Sequence, residues 1–392
     1  MVAQNTSQIR RRLRLGMVGG GPGGFIGAVH RIAARLDDRY ELVAAALTAD
    51  PSRNVSAAAE LHIPRGYGDF AQMAAAEAQR ADRIDAVAIV TPNHLHFAPA
   101  KAFLEAGMHV ICDKPVTTTL DDAVELAKIV QRTGLLFALT HNYTGYPMVR
   151  QAREMIRDGA LGNLRVIQVE YAQDWLATPV ENTGQKQAAW RTDPARSGPA
   201  GALGDIGTHA FNIAAFVSGL ACREVSAEVT TFVPGRRLDD HVQASLRYEK
   251  NVRGTLWASQ VATGNDNHLG LRIYGDRAGL AWCQERANEL VFAPLGEPPR
   301  TIARNGAGSL PVAAHASRVP AGHPEGYLEG FAQLYTDFAE QIHARLEDRP
   351  ADPTALLVPG IADGVEGVRF ISAVLASSQN NSAWTALPAV AS

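Results

Sequence analysis

The sequence predicts two domains of different class. Residues 1–146 read as a mostly parallel, doubly wound α/β domain, and residues 147–392 as an α+β domain with a large, mainly antiparallel, open-faced sheet. Three observations lead there. The chain has 392 residues, too many for one ordinary core. Up to Pro147, short apolar runs alternate with amphipathic helical patterns, as βα units do. Beyond it, extended alternating segments joined by tight turns take over.

The first strand and its turn lie in LRLGMVGGGPGGFIGAVHRIAARL. Gly19, Gly21 and Gly24 fit G-x-G-x-x-G, which supplies a tight turn, close approach to a pyrophosphate, and close helix–strand packing. Pro22, Gly23, Phe25 and Ile26 fill the turn and the helix start, whose free N–H groups and positive dipole end suit phosphates. A strand before and a helix after make this a dinucleotide-binding (Rossmann) signature rather than a flexible turn.

The second strand, Tyr40–Leu47, arrives at the expected distance but does not end on the acid that holds the ribose 2′-OH of NAD. Thr48 takes that place, with Asp50 two residues on and Arg53 after it. Asp50 reaching the ribose fits NAD; a small residue with an arginine nearby tolerates the 2′-phosphate of NADP. NAD is read first and NADP stays open.

The remaining elements of this domain follow in order. Ile84–Asn93 is a buried strand ending in the turn Thr91, Pro92, Asn93, with His96 leading into a helix closed by Gly107. Met108–Pro115 is a strand, and a helix follows with Thr119 as its cap, acids in its first turn and Gly134 past its end. LLFALTHN is a further strand ending at Asn142. Ligands in doubly wound sheets bind at the carboxyl ends of the strands. That rule gathers Gly21, Thr48, Asn93, His96, Asp113, Lys114 and Asn142 along one edge, although Asn93, His96 and Asn142 serve equally well as turn residues. Lys114 stands out, because only five of the 37 basic residues are lysine and this one sits between Asp113 and Pro115 at a strand end. There an ammonium faces the nicotinamide and the substrate, ready to hydrogen-bond a reacting hydroxyl.

Composition bounds the partners. With 46% hydrophobic and 20% charged residues the chain reads as globular. A net charge of −3 gives no electrostatic case for nucleic acid or an anionic membrane. The basic run Ile9–Gly16 leads straight into a strand with no apolar signal core behind it, so no export signal is expected. No run approaches the ~18 apolar residues of a membrane helix. Cys112, Cys222 and Cys283 are far apart, odd in number and without C-x-x-C spacing, which argues against a disulfide framework and against structural zinc. A cytoplasmic location is the expectation.

In GPAGALGDIGTHAFNIAAF, Gly198–Phe216, an acid and an imidazole stand four residues apart: Asp205 and His209. On a helix they share a face. Read alone, a capping aspartate with a satisfied histidine explains them as well as a proton-transfer site does. With Lys114 and a dinucleotide fold in the same chain, the proton-transfer reading is preferred. Neither H-x-x-x-H nor H-E-x-x-H occurs, and no metal is expected.

Four motifs in order, GMVGGGPGGFIGAVHR, TPNHLH, CDKP and GALGDIGTHAFN, resemble the Gfo/Idh/MocA oxidoreductase family over about residues 12–388. The resemblance implies oxidation of a hydroxyl carbon of a sugar, inositol or other polyol with NAD(H) or NADP(H). It implies that Lys114, Asp205 and His209 are catalytic: His209 takes the hydroxyl proton, Lys114 hydrogen-bonds the oxygen whose charge changes, and Asp205 binds a neighbouring hydroxyl or the nicotinamide ribose. The family's E-K-P appears here as Asp113-Lys114-Pro115, and Thr144 stands where an arginine is common. Loop segments Gln173–Pro194 and Gly322–Tyr327 resemble a subgroup in which both return to the site, which brings Trp175, Trp190, Arg191 and His323 to the substrate, with Tyr143 as a further hydroxyl. The alternatives are a sugar–sugar oxidoreductase with tightly held cofactor, and a dinucleotide-sensing regulator without chemistry.

In the second domain, residues 294–325 read as a long Pro-, Gly- and Ala-rich loop, and two helices near the carboxyl terminus are expected to pack back on the first domain. An open-faced sheet needs cover, so a homodimer or homotetramer through it is expected.

Overall fold

The computed structural model describes residues 10–390. Residues 1–9, part of the stretch read for an export signal, lie outside them. The first sheet is built from β1 (Leu13–Gly19), β2 (Tyr40–Ala46), β3 (Arg65–Gly66), β4 (Ala86–Val90), β5 (His109–Cys112) and β6 (Phe137–Leu139). Its order is β3-β2-β1-β4-β5-β6 and every pairing is parallel. The connecting helices are α1 (Phe25–Leu36), α2 (Pro51–Glu60), α3 (Phe70–Ala78), α4 (Phe97–Glu105) and α5 (Leu120–Thr133). Local chemistry sets their ends. The Thr119 side chain accepts from the Asp122 N–H at the start of α5, and Gly134 closes that helix at φ +63°. β1 and β4 are buried almost throughout, as strands covered on both faces must be.

The second part begins with α6 (Pro147–Arg157) and β7 (Leu164–Ala172), followed by the short helices α7 (Lys186–Arg191) and α8 (Pro194–Ser197). A π-helical turn, Leu203–Gly207, runs into α9 (Thr208–Ser218). Strands β8 (Cys222–Thr230), β9 (His241–Tyr248), β10 (Arg253–Ser259), β11 (His268–Gly275), β12 (Ala278–Cys283), β13 (Glu289–Pro294) and β14 (Arg300–Ala303) come next. Then come α10 (Pro311–His315), α11 (Tyr327–Leu346), α12 (Ile361–Gln379) and β15 (Thr385–Ala386). The sheet order is β14-β13-β12-β11-β7-β10-β9-β8-β15, antiparallel except where β7 meets β10. One face is apolar: Ile167, Val169, Leu256, Leu269, Leu271 and Ile273 are buried in a single core with α9. The other face is uncovered within the single chain.

The stretch 294–325 is not a plain loop. It holds β14 and α10, because β14 adds to the edge of β13 and the buried Arg304 ties the segment down. Arg304 pairs with Glu325 at 2.9 Å and donates to the carbonyls of Val319 and His323. The last long helices join the parts. Phe331, Tyr335, Phe338 and Ile342 of α11 lie in one core with Leu15, Met17 and Ala88 of the first sheet. Early in α12, Val365 and Val368 pack on the other face of that sheet, while Phe370, Ile371 and Val374 enter the second core. Arg150 of α6 and Asp337 of α11, both buried, pair at 2.6 Å. Among the described residues no helix is long and apolar enough to cross a membrane.

Candidate active site

The amino-terminal turn comes first. Gly19, Gly20 and Gly23 have positive φ, where a side chain would be strained. A Cβ on Gly21 would come within 3.0 Å of the Leu47 carbonyl oxygen. Gly24 caps α1 in extended conformation, and it is Gly27, not Gly24, that brings helix and turn together: a Cβ there would lie 2.3 Å from the Gly20 oxygen. The reason is register, since Gly27 faces the turn one helical turn further on. Pro22 and Gly23 are exposed beside the free amino end of α1. An open turn, left free of side chains, and the first N–H groups of α1 suit a pyrophosphate. At the end of β2, Thr48 donates its Oγ1–H to the Asp50 carbonyl, and the exposed Asp50 carboxylate accepts from the Ser52 N–H at 3.0 Å, capping α2. Arg53 lies exposed in the same turn of α2.

A cleft of about 420 Å³ opens between the carboxyl ends of the first sheet and the second sheet. Of the residues singled out by sequence, Phe25, Ile26, Thr91, Asn93, Asp113, Lys114, Asn142, Tyr143, Trp175, Trp190, Arg191, Asp205 and His209 line it. Asn93 donates to the Ser197 carbonyl at 3.0 Å, crossing to the second part. Asp113 accepts from Thr140 Oγ1 at 2.7 Å.

Gly19, Gly21, Pro22, Gly23, Gly24, Thr48, Asp50, Arg53 and Pro92 lie outside this lining, and so do two histidines, His96 and His323. His96 is fully buried, its Nδ1 at 2.7 Å from the Pro115 oxygen and its Nε2 at 2.9 Å from the Thr91 oxygen. It braces the two strand-end turns against each other and does not reach the cleft surface. His323 is exposed, because the Arg304–Glu325 pair fixes its loop and turns it outward; Tyr327, at the start of α11, reaches the cleft instead. Thr144 is buried with its Oγ1 on the His141 carbonyl.

Lys114 Nζ lies 3.2 Å from Asp205 Oδ1 and also donates to the Asp205 carbonyl. Asp205 Oδ2 accepts from Arg191 Nε at 3.2 Å and from Gln260 Nε2 at 2.8 Å. Burial alone would raise the Asp205 carboxyl, but Arg191, Lys114 and Gln260 outweigh it and hold the pKa well below the usual carboxylate range. Asp205 sits in the π turn and His209 in α9, so the expected single helical face is interrupted, and the carboxylate serves the cations rather than the imidazole.

His209 packs edge-on to Tyr143, ring centroids 5.0 Å apart, and to His141 at 5.4 Å. Its buried Nδ1 has no hydrogen-bond partner. Burial, then Lys114 and His141, push its pKa well below the ordinary histidine value. Burial also takes His141 down to about 3 and, against its bond to Tyr171, takes Tyr143 up to about 12.

On the far wall Arg191 lies over the Trp190 ring, 4.3 Å from its centroid, and 6.0 Å from that of Trp175. Gln173, Gln187, Tyr171 and Gln260 complete the polar lining or its support. Sequence reasoning did not single out Tyr171 or Gln260, which reach the site from β7 and the end of β10. Only strand pairing brings them there.

A nicotinamide dinucleotide fits these residues. The glycine turn is open, and Asn142 Nδ2, buried at the cleft, has no partner of its own. The comparisons agree. Residues 13–141 match the model for the oxidoreductase family with NAD-binding Rossmann fold, and residues 149–281 match the GFO/IDH/MocA C-terminal domain. The uncharacterized oxidoreductase YfiI of Bacillus subtilis is 34% identical over 384 residues, covering 96% of this chain and 97% of that protein. The crystal structure of an oxidoreductase from Sinorhizobium meliloti superposes with a TM-score of 0.87 at 50% identity, over 96% of this chain and 99% of that one. An inositol dehydrogenase homologue from Azotobacter vinelandii, complexed with NAD+, gives 0.91 at 35% identity, over 97% and 98%; its complex with NADH and myo-inositol is also known. With both halves matched and relatives aligned end to end, this chain belongs to the Gfo/Idh/MocA family of NAD-binding oxidoreductases.

Proposed function

We propose that the protein is a dehydrogenase that oxidises a secondary or anomeric ring hydroxyl of a cyclic polyol or sugar, an inositol first among them, with His209 as general base. The observation that carries this reading is that His209 and Lys114 line one cleft, with the imidazole's pKa held down by burial and then by the Lys114 charge. A bound nicotinamide dinucleotide supplies the hydride acceptor, held by the Gly19–Gly24 turn, the start of α1 and Asn142.

The protein's own residues do the rest. His209, deprotonated at neutral pH, accepts the hydroxyl proton. A weak base of this kind needs an acidified substrate, and Lys114 supplies that by hydrogen-bonding the same oxygen and favouring alkoxide character. Asp205, committed to Lys114, Arg191 and Gln260, acts as a positioning residue that fixes both cations. The Trp175 and Trp190 indoles suit the C–H face of a ring, and the Arg191 fork suits vicinal hydroxyls.

NAD is the proposed cofactor. The exposed Asp50 carboxylate at the end of β2 repels a 2′-phosphate, and the Azotobacter relative is named as an NAD+ complex.

The test is turnover of inositols, aldoses and anhydrosugars with NAD and with NADP, for the wild type and His209→Ala. Oxidation of a ring polyol with higher kcat/KM for NAD, and a loss of at least ~10²-fold in kcat for His209→Ala, is expected. Cofactor binding without turnover of any such compound would instead favour the sensing regulator, and an unimpaired His209→Ala would remove the base.

A further inference from the structure

On the uncovered face of the second sheet, opposite the face that carries the cleft residue Tyr171, three strands bring a soft and a hard ligand to one imidazole. Gly270 of β11 pairs directly with Cys283 of β12 on one side and with Glu170 of β7 on the other. Glu170, Gly270 and Cys283 therefore form one row across the sheet. His268, two residues before Gly270 on the same face, leans along this row. A side chain at Gly270 would meet both the Glu170 carboxylate and His268 Nε2 at 3.2 Å, so glycine leaves the imidazole its place. The chain turns just past Cys283 and puts Glu285 beside it.

The distances are those of a coordination set. His268 Nδ1 is 3.0 Å from Glu285 Oε2 and 3.6 Å from Cys283 Sγ, and the sulfur is 3.9 Å from that carboxylate oxygen. Tetrahedral zinc, with Zn–S near 2.3 Å and Zn–N and Zn–O near 2.0–2.2 Å, places its ligand atoms about 3.3–3.6 Å apart. Movements of a few tenths of an ångström close the difference, and Glu285, the most exposed of the three, has the freedom to make them. On its other side, His268 Nε2 lies 3.4 Å from Glu170 Oε1, which in turn accepts from Arg272 at 3.1 Å. With the proton on Nε2, toward that carboxylate, the Nδ1 lone pair is left for the metal, the usual outer support of a zinc-bound histidine. No other group of three such side chains within reach of one ion occurs among the described residues.

We propose that His268, Cys283 and Glu285 form a site for a thiophilic divalent cation, zinc in the first instance. A thiolate, an imidazole and a carboxylate match zinc and disfavour magnesium or calcium, which take oxygen ligands. Cys283 binds as thiolate and releases its proton to solvent, and the two negative ligands balance the ion's charge. Three protein ligands leave the fourth position of a tetrahedral ion to water. The sequence hid this site because its ligands follow no zinc motif: residues 268, 283 and 285 meet only through the β11–β12 register.

The test uses the full chain, freed of metal by chelator and titrated with Zn²⁺ against a chromophoric competitor, and with Co²⁺ followed by absorption. One zinc per chain, and a thiolate-to-cobalt charge-transfer band with tetrahedral visible bands, are expected. Cys283→Ser should abolish the charge-transfer band and stoichiometric zinc, and Glu170→Gln should weaken zinc by ~10–100-fold. Both variants should keep wild-type polyol turnover without metal, because neither side chain lines the cleft. Zinc lost entirely to the competitor, or retained unchanged by Cys283→Ser, would overturn the site; the two buried thiols, Cys112 and Cys222, offer no substitute ligand.

Discussion

Among single residues, the proposed chemistry rests on one positive charge. In that proposal Lys114 acidifies a hydroxyl placed against it; after burial, it also lowers the pKa of His209. In the proposed reaction the neutral imidazole is the working form, so activity should be lost only as pH falls through a value well below the ordinary 6.5 or so. Removing the ammonium relieves that depression. For Lys114→Met, the acid limb of kcat/KM should therefore move up in pH, toward the ordinary histidine value, while kcat falls. A pH–rate profile of the two proteins checks this, and an acid limb that stays in place would separate Lys114 from His209. Asp205 is the instructive residue. Its spacing from His209 suggested a couple, but a carboxylate so strongly held by two cations and an amide is anchored to them.

Among the elements, the close approach of α1 to the turn after β1 should bear on cofactor affinity. Helix and turn touch through Gly27 and Gly20, backbone against backbone, with no flexible side chain to give way. Gly27→Ala should cost about 1–3 kcal/mol by forcing that contact apart. The expected result is a lower Tm and a raised KM for NAD with kcat less affected, read by thermal melts and steady-state kinetics. An alanine variant with unchanged melting and KM would mean that the turn adjusts freely. The π turn before α9 has a comparable local role: Gly204 and Gly207 flank Asp205 where the chain leaves the cleft floor, and the extra backbone width there turns the carboxylate toward Lys114 and Arg191.

At the scale of the molecule, α11 and α12 unite two sheets into one structure, with the cleft at their junction. The division at residues 146 and 147 describes the order of the sequence, but by its packing α11 belongs to the first sheet. The nine-stranded sheet leaves one broad face uncovered, with Val166 and Tyr274 among its exposed apolar side chains. Self-association through that face is the proposed arrangement. Light scattering should give the mass of a dimer or tetramer, and a charge introduced at Val166 should shift it toward monomer; a strict monomer at micromolar concentration would end the proposal.

The parallel sheet, the glycine turn and the family are legible in the amino-acid sequence, which also marks Lys114, Asp205 and His209 as candidates. These are written in local patterns: alternation of elements, glycine spacing, and capping residues such as Thr119. Which side chains share the cleft depends on packing between distant segments. Tyr171 and Gln260 come from strands whose neighbours only pairing reveals, and His323 turns outward because a distant arginine, Arg304, holds its loop. The same packing decides the partners of Asp205 and the meeting of His268 with Cys283. Periodicity fixes which face of a strand a residue takes, but register across strands is set by the packing of the whole sheet, and no local stretch of sequence carries it.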